Sequence, residues 1–220
     1  MYSAMKSNIQ TKLFTNQINP VSAYLLGFLW ADSCICIQPK RYYIRLEIIE
    51  SDGQYLLPLL STTGHWTVSH RNRKNRKPQI RIEISHKDLR NYLLEHGYHP
   101  NDKNPDKILS TLNTNLVRYW LQGYIDGDGC WYYNVDNRCY QFSCSGPHNQ
   151  DWKWLEKIFE YLSISHYKIS LCESAKGHKH SVVRISNRPD CKKLFDFVYP
   201  DEKYLGLERK FDKAKFISAV

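Results

Sequence analysis

Residues 120–131 read WLQGYIDGDGCW, an apolar helical run that ends in Asp126 and Asp128 with glycine between and after them. A helix C-terminus carries unpaired carbonyls and partial negative charge, so carboxylates there are disfavoured unless something offsets them. One such pair would be an ordinary glycine turn. The pattern recurs at residues 23–34, AYLLGFLWADSC, which ends in Asp32. In each copy small residues stand four apart, Gly27 with Ala31 and Gly123 with Gly127, giving each helix a stripe that allows close backbone approach. If the stripes pack together, Asp32 and Asp128 converge, and the simplest relief of their repulsion is a hard divalent cation such as Mg²⁺. A calcium-loop reading of DGDGC fails, because Cys130 stands where the next oxygen ligand belongs.

Strands and helices further along the chain must hold each acid in place. Residues 34–50 read as two strands joined near Pro39 and Lys40, with Ile44, Leu46 and Ile48 on one face and Tyr43, Arg45 and Glu47 on the other. A short helix over 52–60 leads into a second hairpin. Its expected inward set is Trp66, Val68, Ile80, Ile82 and Ile84, and its outward set is Thr67, Ser69, Arg71, Gln79, Arg81 and Glu83. A helix near 87–96 closes the unit. The order repeats with strands near 130–136 and 139–145, a helix over 150–162, strands near 166–172 and 180–186, and a helix near 189–198. RIEISHKDL at 81–89 is matched by VVRISNRPDC at 182–191. An internal duplication is expected: an α+β chain of two αββαββα repeats, over 1–100 and 115–220, with a Pro-, Asn- and Lys-rich linker at 101–114.

The 220 residues carry a formal charge of +9 and are 42% hydrophobic, which predicts a folded chain with a polyanionic partner. Nucleic acid is favoured over a membrane, because no basic amphipathic helix is present. The first fourteen residues lack the apolar stretch of a secretory signal, and no apolar run reaches a membrane span, so a cytoplasmic or organellar, reducing location is expected. Seven cysteines without zinc-type spacing fit free thiols. A zinc role for Cys172, His178 and His180 fits no standard ligand spacing.

LLGFLWADS at 25–33 and LQGYIDGDG at 121–129 resemble the paired signature helices of the LAGLIDADG homing endonucleases in their single-chain, two-repeat form. The resemblance covers nearly the whole chain. It implies two pseudo-symmetric repeats packed through the signature helices, with antiparallel sheets forming a saddle over double-stranded DNA, in a monomer. Its catalytic acid is the eighth motif position, Asp32 and Asp128 here, which implies Mg²⁺ held with help from the preceding carbonyls of Ala31 and Gly127. Mn²⁺ is the expected substitute, and Ca²⁺ is expected to bind without supporting cleavage. The first copy departs from the pattern at Trp30 and Ser33, which affects the turn but spares the acid. The family's basic residue near each active site maps to Lys210 in YLGLERKFDKA and to Lys103 in GYHPNDKNPDK, with Lys107 as the alternative.

The resemblance implies metal-assisted phosphodiester hydrolysis, with a cut in each strand across the minor groove of a long asymmetric target. A two-stranded ribbon fits the major groove, where Arg and Lys read guanine and Gln or Asn reads adenine. The candidate contacts in the first half are Lys40, Arg41, Arg45, Glu47, Arg71, Arg73, Lys74, Arg76, Gln79, Arg81 and Glu83. Those in the second are Arg138, Gln141, Ser143, Lys168, Ser170, Lys176 and Arg184. The run HRNRKNRK at 70–77 is expected at a hairpin tip, where phosphate contact is the natural role. Two alternatives use the same surface: an RNA-binding group I intron maturase, with intron RNA as its partner, and an inactive DNA-binding protein. A two-aspartate protease is disfavoured, since such enzymes place their aspartates in β-rich lobes and have no need of the basic charge.

Overall fold

The computed structural model describes residues 14, 17–38, 41–72, 74, 77–99, 102–134, 136, 139–174, 177–200 and 205–218. The chain divides into two compact units, residues 1–123 and 124–220.

The first unit opens with helix α1, Pro20–Asp32. Asn19 caps it: its side chain accepts from Ser22 N–H at 3.0 Å, while Ser22 Oγ accepts from Asn19 N–H at 2.8 Å. Proline at the first helical position loses nothing, because that N–H would have no helical partner. Every residue from Ser22 to Trp30 is buried, so α1 is an interior helix rather than a surface one. It stops when Ser33 turns extended and sends both its N–H and its Oγ back to the Leu29 carbonyl.

Strands β1 (Ser33–Gln38) and β2 (Arg41–Ile49), helix α2 (Glu50–Ser61), strands β3 (Thr67–Arg71) and β4 (Gln79–Ile84) and helix α3 (Lys87–Glu95) follow. The antiparallel sheet has the order β1-β2-β4-β3. Its register sets Ile44 opposite Ile84, Leu46 opposite Ile82 and Ile48 opposite Ile80, and all six are buried. Helices α1 and α2 pack on β2, and α2 packs on β4 as well. Val68, expected inward, is 43% exposed. It sits on β3, whose residues are all exposed and which is an edge strand paired only with β4.

Past α3 the chain reverses at Gly97, whose φ of +97° suits glycine and whose Cβ, if present, would stand 2.2 Å from the Asn104 carbonyl. The short hairpin β5 (Tyr98–His99) and β6 (Asp102–Lys103) and helix α4 (Asp106–Thr111) therefore occupy most of the expected linker. Helix α5, Thr114–Asp128, crosses the boundary between the units. Within the first unit it meets α1 at Trp120 and Gly123. A Cβ on Gly123 would stand 1.9 Å from the Tyr24 carbonyl oxygen, and Trp30 meets Trp120 edge-on at 6.0 Å.

The second unit repeats the plan with β7 (Gly129–Asn134), β8 (Cys139–Pro147), α6 (Lys153–Tyr161), β9 (Tyr167–Glu173), β10 (Lys179–Ile185) and α7 (Arg188–Val198). Its sheet order, β7-β8-β10-β9, has the same topology as the first. Trp131, Phe142, Cys144, Val183 and Ile185 are buried on its inner face. Helix α8 (Glu208–Ser218), absent from the pattern read in the sequence, packs on β7 and α7. Among the described residues no helix is long and apolar enough to cross a membrane.

Candidate active site and nucleic-acid interface

In the first unit Asp32 is the exposed last residue of α1. The ammonium of Lys103 donates to three backbone oxygens at that helix end: Trp30 at 2.8 Å, Ser33 at 3.0 Å and Ala31 at 3.3 Å. It also stands 4.7 Å from the centroid of the Tyr98 ring. Tyr98 in turn donates its hydroxyl to the Ser33 carbonyl. A cation on the last carbonyls of a helix offsets the partial negative charge there and lowers the cost of keeping Asp32 beside them. Lys107, the alternative, lies exposed on α4.

The second unit builds the same device from different parts. Asp128 is the half-buried last residue of α5, and Lys210, on the first turn of α8, is 8% exposed and donates to the Gly129 carbonyl. Gly129 occupies the motif position that Ser33 holds in the first copy. Burial pushes the thiol of Cys144 upward, the nearby Asp128 charge adds to the rise, and Lys210 opposes it. Asp128 and Lys210 therefore share one neighbourhood. Asp126, the other acid of this motif, is 1% exposed; its carboxylate accepts from Leu207 N–H at 2.7 Å and from the Tyr199 hydroxyl at 3.1 Å. The two motif carboxylates thus differ in setting: Asp126 is buried on partners near the start of α8, and Asp128 is half-exposed at the end of α5.

The donor set suits a hard, water-rich ion. Each unit offers one carboxylate with the carbonyl before it, Ala31 or Gly127, and both of those residues are half-exposed. Mg²⁺ characteristically takes one or two carboxylates and completes its shell with water and substrate phosphate. Among the described residues no group of three His, Cys, Asp or Glu could hold a metal without such help.

The polar face of the first sheet is more ordered than the sequence implied. Arg45 pairs with Glu83 at 2.6 Å and donates to the Tyr43 hydroxyl at 2.9 Å, while Arg81 pairs with Glu47 at 2.9 Å. The register explains this, since Arg45 faces Glu83 and Glu47 faces Arg81 across β2 and β4. Arg71 lies opposite Gln79, and Arg41 sits in β2 opposite Gln38. Lys74 is exposed in the turn between β3 and β4. In the second sheet Cys130, Ser143, Arg184 and Lys168 form one row across all four strands. Gln141 faces Tyr132, and Ser170 faces Val182. Lys40, Arg73, Arg76, Arg138 and Lys176 lie outside the described residues.

Sequence reasoning missed three outward residues. Cys34 and Cys36 share the polar face of β1, with sulfurs 3.4 Å apart, and Tyr132 is 47% exposed on β7. Strict alternation about buried Ile35 and Trp131 carries the signal. The Cys34 thiol is raised to about 11, first by burial and then by Cys36, against the opposing pull of Arg45 and Lys103, so it stays protonated at neutral pH.

No family model matches the chain, and no curated protein matches it. Solved structures do. The LAGLIDADG meganuclease I-AabMI bound to uncleaved DNA superposes with a TM-score of 0.59 at 16% identity, over 91% of this chain and 89% of that one. The homing endonuclease I-WcaI bound to its DNA recognition sequence gives 0.62 at 15% identity, over 93% and 90%. I-DmoI in complex with DNA and Ca gives 0.55 at 15% identity, over 90% and 96%. The chain therefore has the two-repeat α+β fold of the LAGLIDADG homing endonucleases.

Proposed function

We propose that this protein is a site-specific double-strand DNA endonuclease of the LAGLIDADG homing type. The observation that carries the reading is the repeated juxtaposition of a motif acid with a lysine bound to the carbonyls at its helix end, Asp32 with Lys103 and Asp128 with Lys210. Structures of the same fold were determined with DNA, and I-DmoI with DNA and Ca or Mn, which supports a nucleic-acid substrate and divalent chemistry.

In this reading Asp32 and Asp128 hold Mg²⁺ through their carboxylates, with the Ala31 and Gly127 carbonyls as neighbouring oxygens. Bound Mg²⁺ supplies polarisation of the scissile phosphate and a water of lowered pKa. Lys103 and Lys210 stabilise negative charge developing on the phosphate, each fixed beforehand by backbone oxygens. The outward residues of both sheets bind the duplex: Arg71, Lys74, Lys168 and Arg184 offer charge to phosphate, and Arg45, Gln79, Arg81 and Gln141 offer base-edge chemistry. Because the two polar faces differ residue by residue, the target is asymmetric. The protein works in a reducing compartment, where its seven cysteines persist as thiols.

A library of supercoiled plasmids carrying randomised inserts, incubated with the protein in Mg²⁺, tests the reading. Linear product carrying an enriched insert sequence, abolished by EDTA, is expected. Shifted but intact plasmid in Mg²⁺ would leave a DNA-binding protein without nuclease activity.

A further inference from the structure

Asp126 is a carboxylate 1% exposed, inside the last turn of α5, two residues before the motif acid. A negative charge buried at the negative end of a helix persists only with strong partners. Two of its partners are Leu207 N–H, just before α8, and the hydroxyl of Tyr199 at the end of α7, whose ring meets Phe211 of α8 at 5.3 Å. Leu207 has a second duty. Its carbonyl accepts from Lys210 N–H at 2.9 Å and from Phe211 N–H at 3.1 Å, the first bonds of α8. Asp126 thus grips the residue from which α8 starts, and Lys210 lies three residues beyond the grip. A lysine in the first turn of a helix sits at the positively polarised end, where its ammonium is disfavoured unless it meets an acceptor. The Gly129 carbonyl is that acceptor, and at 8% exposure Lys210 has little room to find another.

We propose that Asp126 is a positioning residue for the second half-site: by fixing the start of α8 through Leu207 N–H and Tyr199 O–H, it keeps the Lys210 ammonium on the Gly129 carbonyl beside Asp128. The inference rests on the nuclease reading for its catalytic meaning, but the geometric claim stands apart from it. The first half-site lacks this device. Trp30 fills the matching motif position, and Lys103 is held there directly by three carbonyls and the Tyr98 ring.

The test is the Lys210 ammonium itself, observed in the full-length protein labelled with ¹⁵N-lysine and assigned as the signal missing from Lys210→Arg. Wild type is expected to give a slowly exchanging ammonium signal. Asp126→Ala is expected to lose that signal to exchange with water while cooperative unfolding is retained, and Asp126→Asn to keep it, because the amide oxygen still accepts from Leu207 N–H. A folded Asp126→Ala with an unchanged Lys210 signal would overturn the proposal. Should Asp126→Ala not fold, Asp126→Asn decides: a retained signal supports the proposal, and its loss from a folded Asp126→Asn overturns it. No substrate enters this measurement, so failure of the wild type to cut plasmid would sink the nuclease reading and leave the positioning result intact.

Discussion

Lys103 Nζ lies 2.8 Å from the backbone oxygen of Trp30 and so caps the helix whose last residue is Asp32. One side chain thereby serves both the fold and the site. Replacing it with methionine removes a cation from a helix C-terminus, which costs about 0.5–2 kcal/mol. Cleavage of the strand served by the first half is expected to fall about a hundredfold, the scale of losing one fixed charge-stabilising group. Lys107→Met should do neither. Thermal melts together with cleavage of duplexes labelled on one strand at a time check both expectations.

Gly123→Ala should destabilise the protein although it sits inside a helix. Alanine normally gains about 1 kcal/mol over glycine there. Here the new Cβ would stand 1.9 Å from the Tyr24 carbonyl oxygen and 2.8 Å from Phe28 N, both backbone atoms that cannot swing aside. Overpacking of about 1–3 kcal/mol outweighs the propensity gain, and Gly123→Leu should be worse. An unchanged melting temperature for both variants would show that α1 and α5 are not in close contact at Gly123.

Asp190 should make stability fall in acid. Burial raises its carboxyl, but hydrogen bonds donated to it by Lys193, the Asn187 side-chain amide and His166 outweigh that and hold it well below the usual carboxylate range. A depressed folded value means the contribution is fully present above the unfolded carboxylate range, near ~4, and fades as the pH drops toward the folded value. Asp190→Ala should cost about 1.5–3 kcal/mol at neutral pH. The gap from wild type should narrow below about pH 4. Denaturant titrations at pH 7 and at low pH measure it; a gap that is the same at both would contradict the assignment.

Arg81 and Lys74 should separate base reading from phosphate contact. Arg81 is held by Glu47 on the polar face, whereas Lys74 projects from the hairpin turn. On a duplex selected by cleavage, Arg81→Ala should cost about 1–3 kcal/mol and relax preference at one or two base pairs. Lys74→Ala should weaken cognate and scrambled duplexes alike and flatten the salt slope by about one unit. Glu47→Gln releases Arg81 from its partner, so affinity for the scrambled duplex should rise. Titrations across salt concentrations decide among these outcomes.

Much of this architecture could be read from the chain because its signals are local. Alternation put Ile44, Leu46, Ile48, Ile80, Ile82 and Ile84 on inward faces, where all six are buried, and the duplicated motif marked Asp32 and Asp128 as helix-end acids. The features that escaped depend on partners distant in sequence. Val68 follows the same alternation as Ile82 but lies on the edge strand, where strand order rather than pattern sets exposure. The sequence puts Lys103 first, but its three bonds to the end of α1 depend on the reversal at Gly97, which no local pattern shows. The pairs Arg45–Glu83 and Glu47–Arg81 follow from strand register, and the duty of Asp126 depends on Leu207, 81 residues away.

In the proposed mechanism each motif acid serves one strand of a duplex. Asp32→Asn, Asp128→Asn and the double variant, incubated in Mg²⁺ with a selected target labelled on either strand, test it most directly. Each single variant is expected to bind like wild type and to leave one strand uncut, a different strand in each case, and the double variant should cut neither. Cleavage of both strands at the wild-type rate by either single variant would contradict the account.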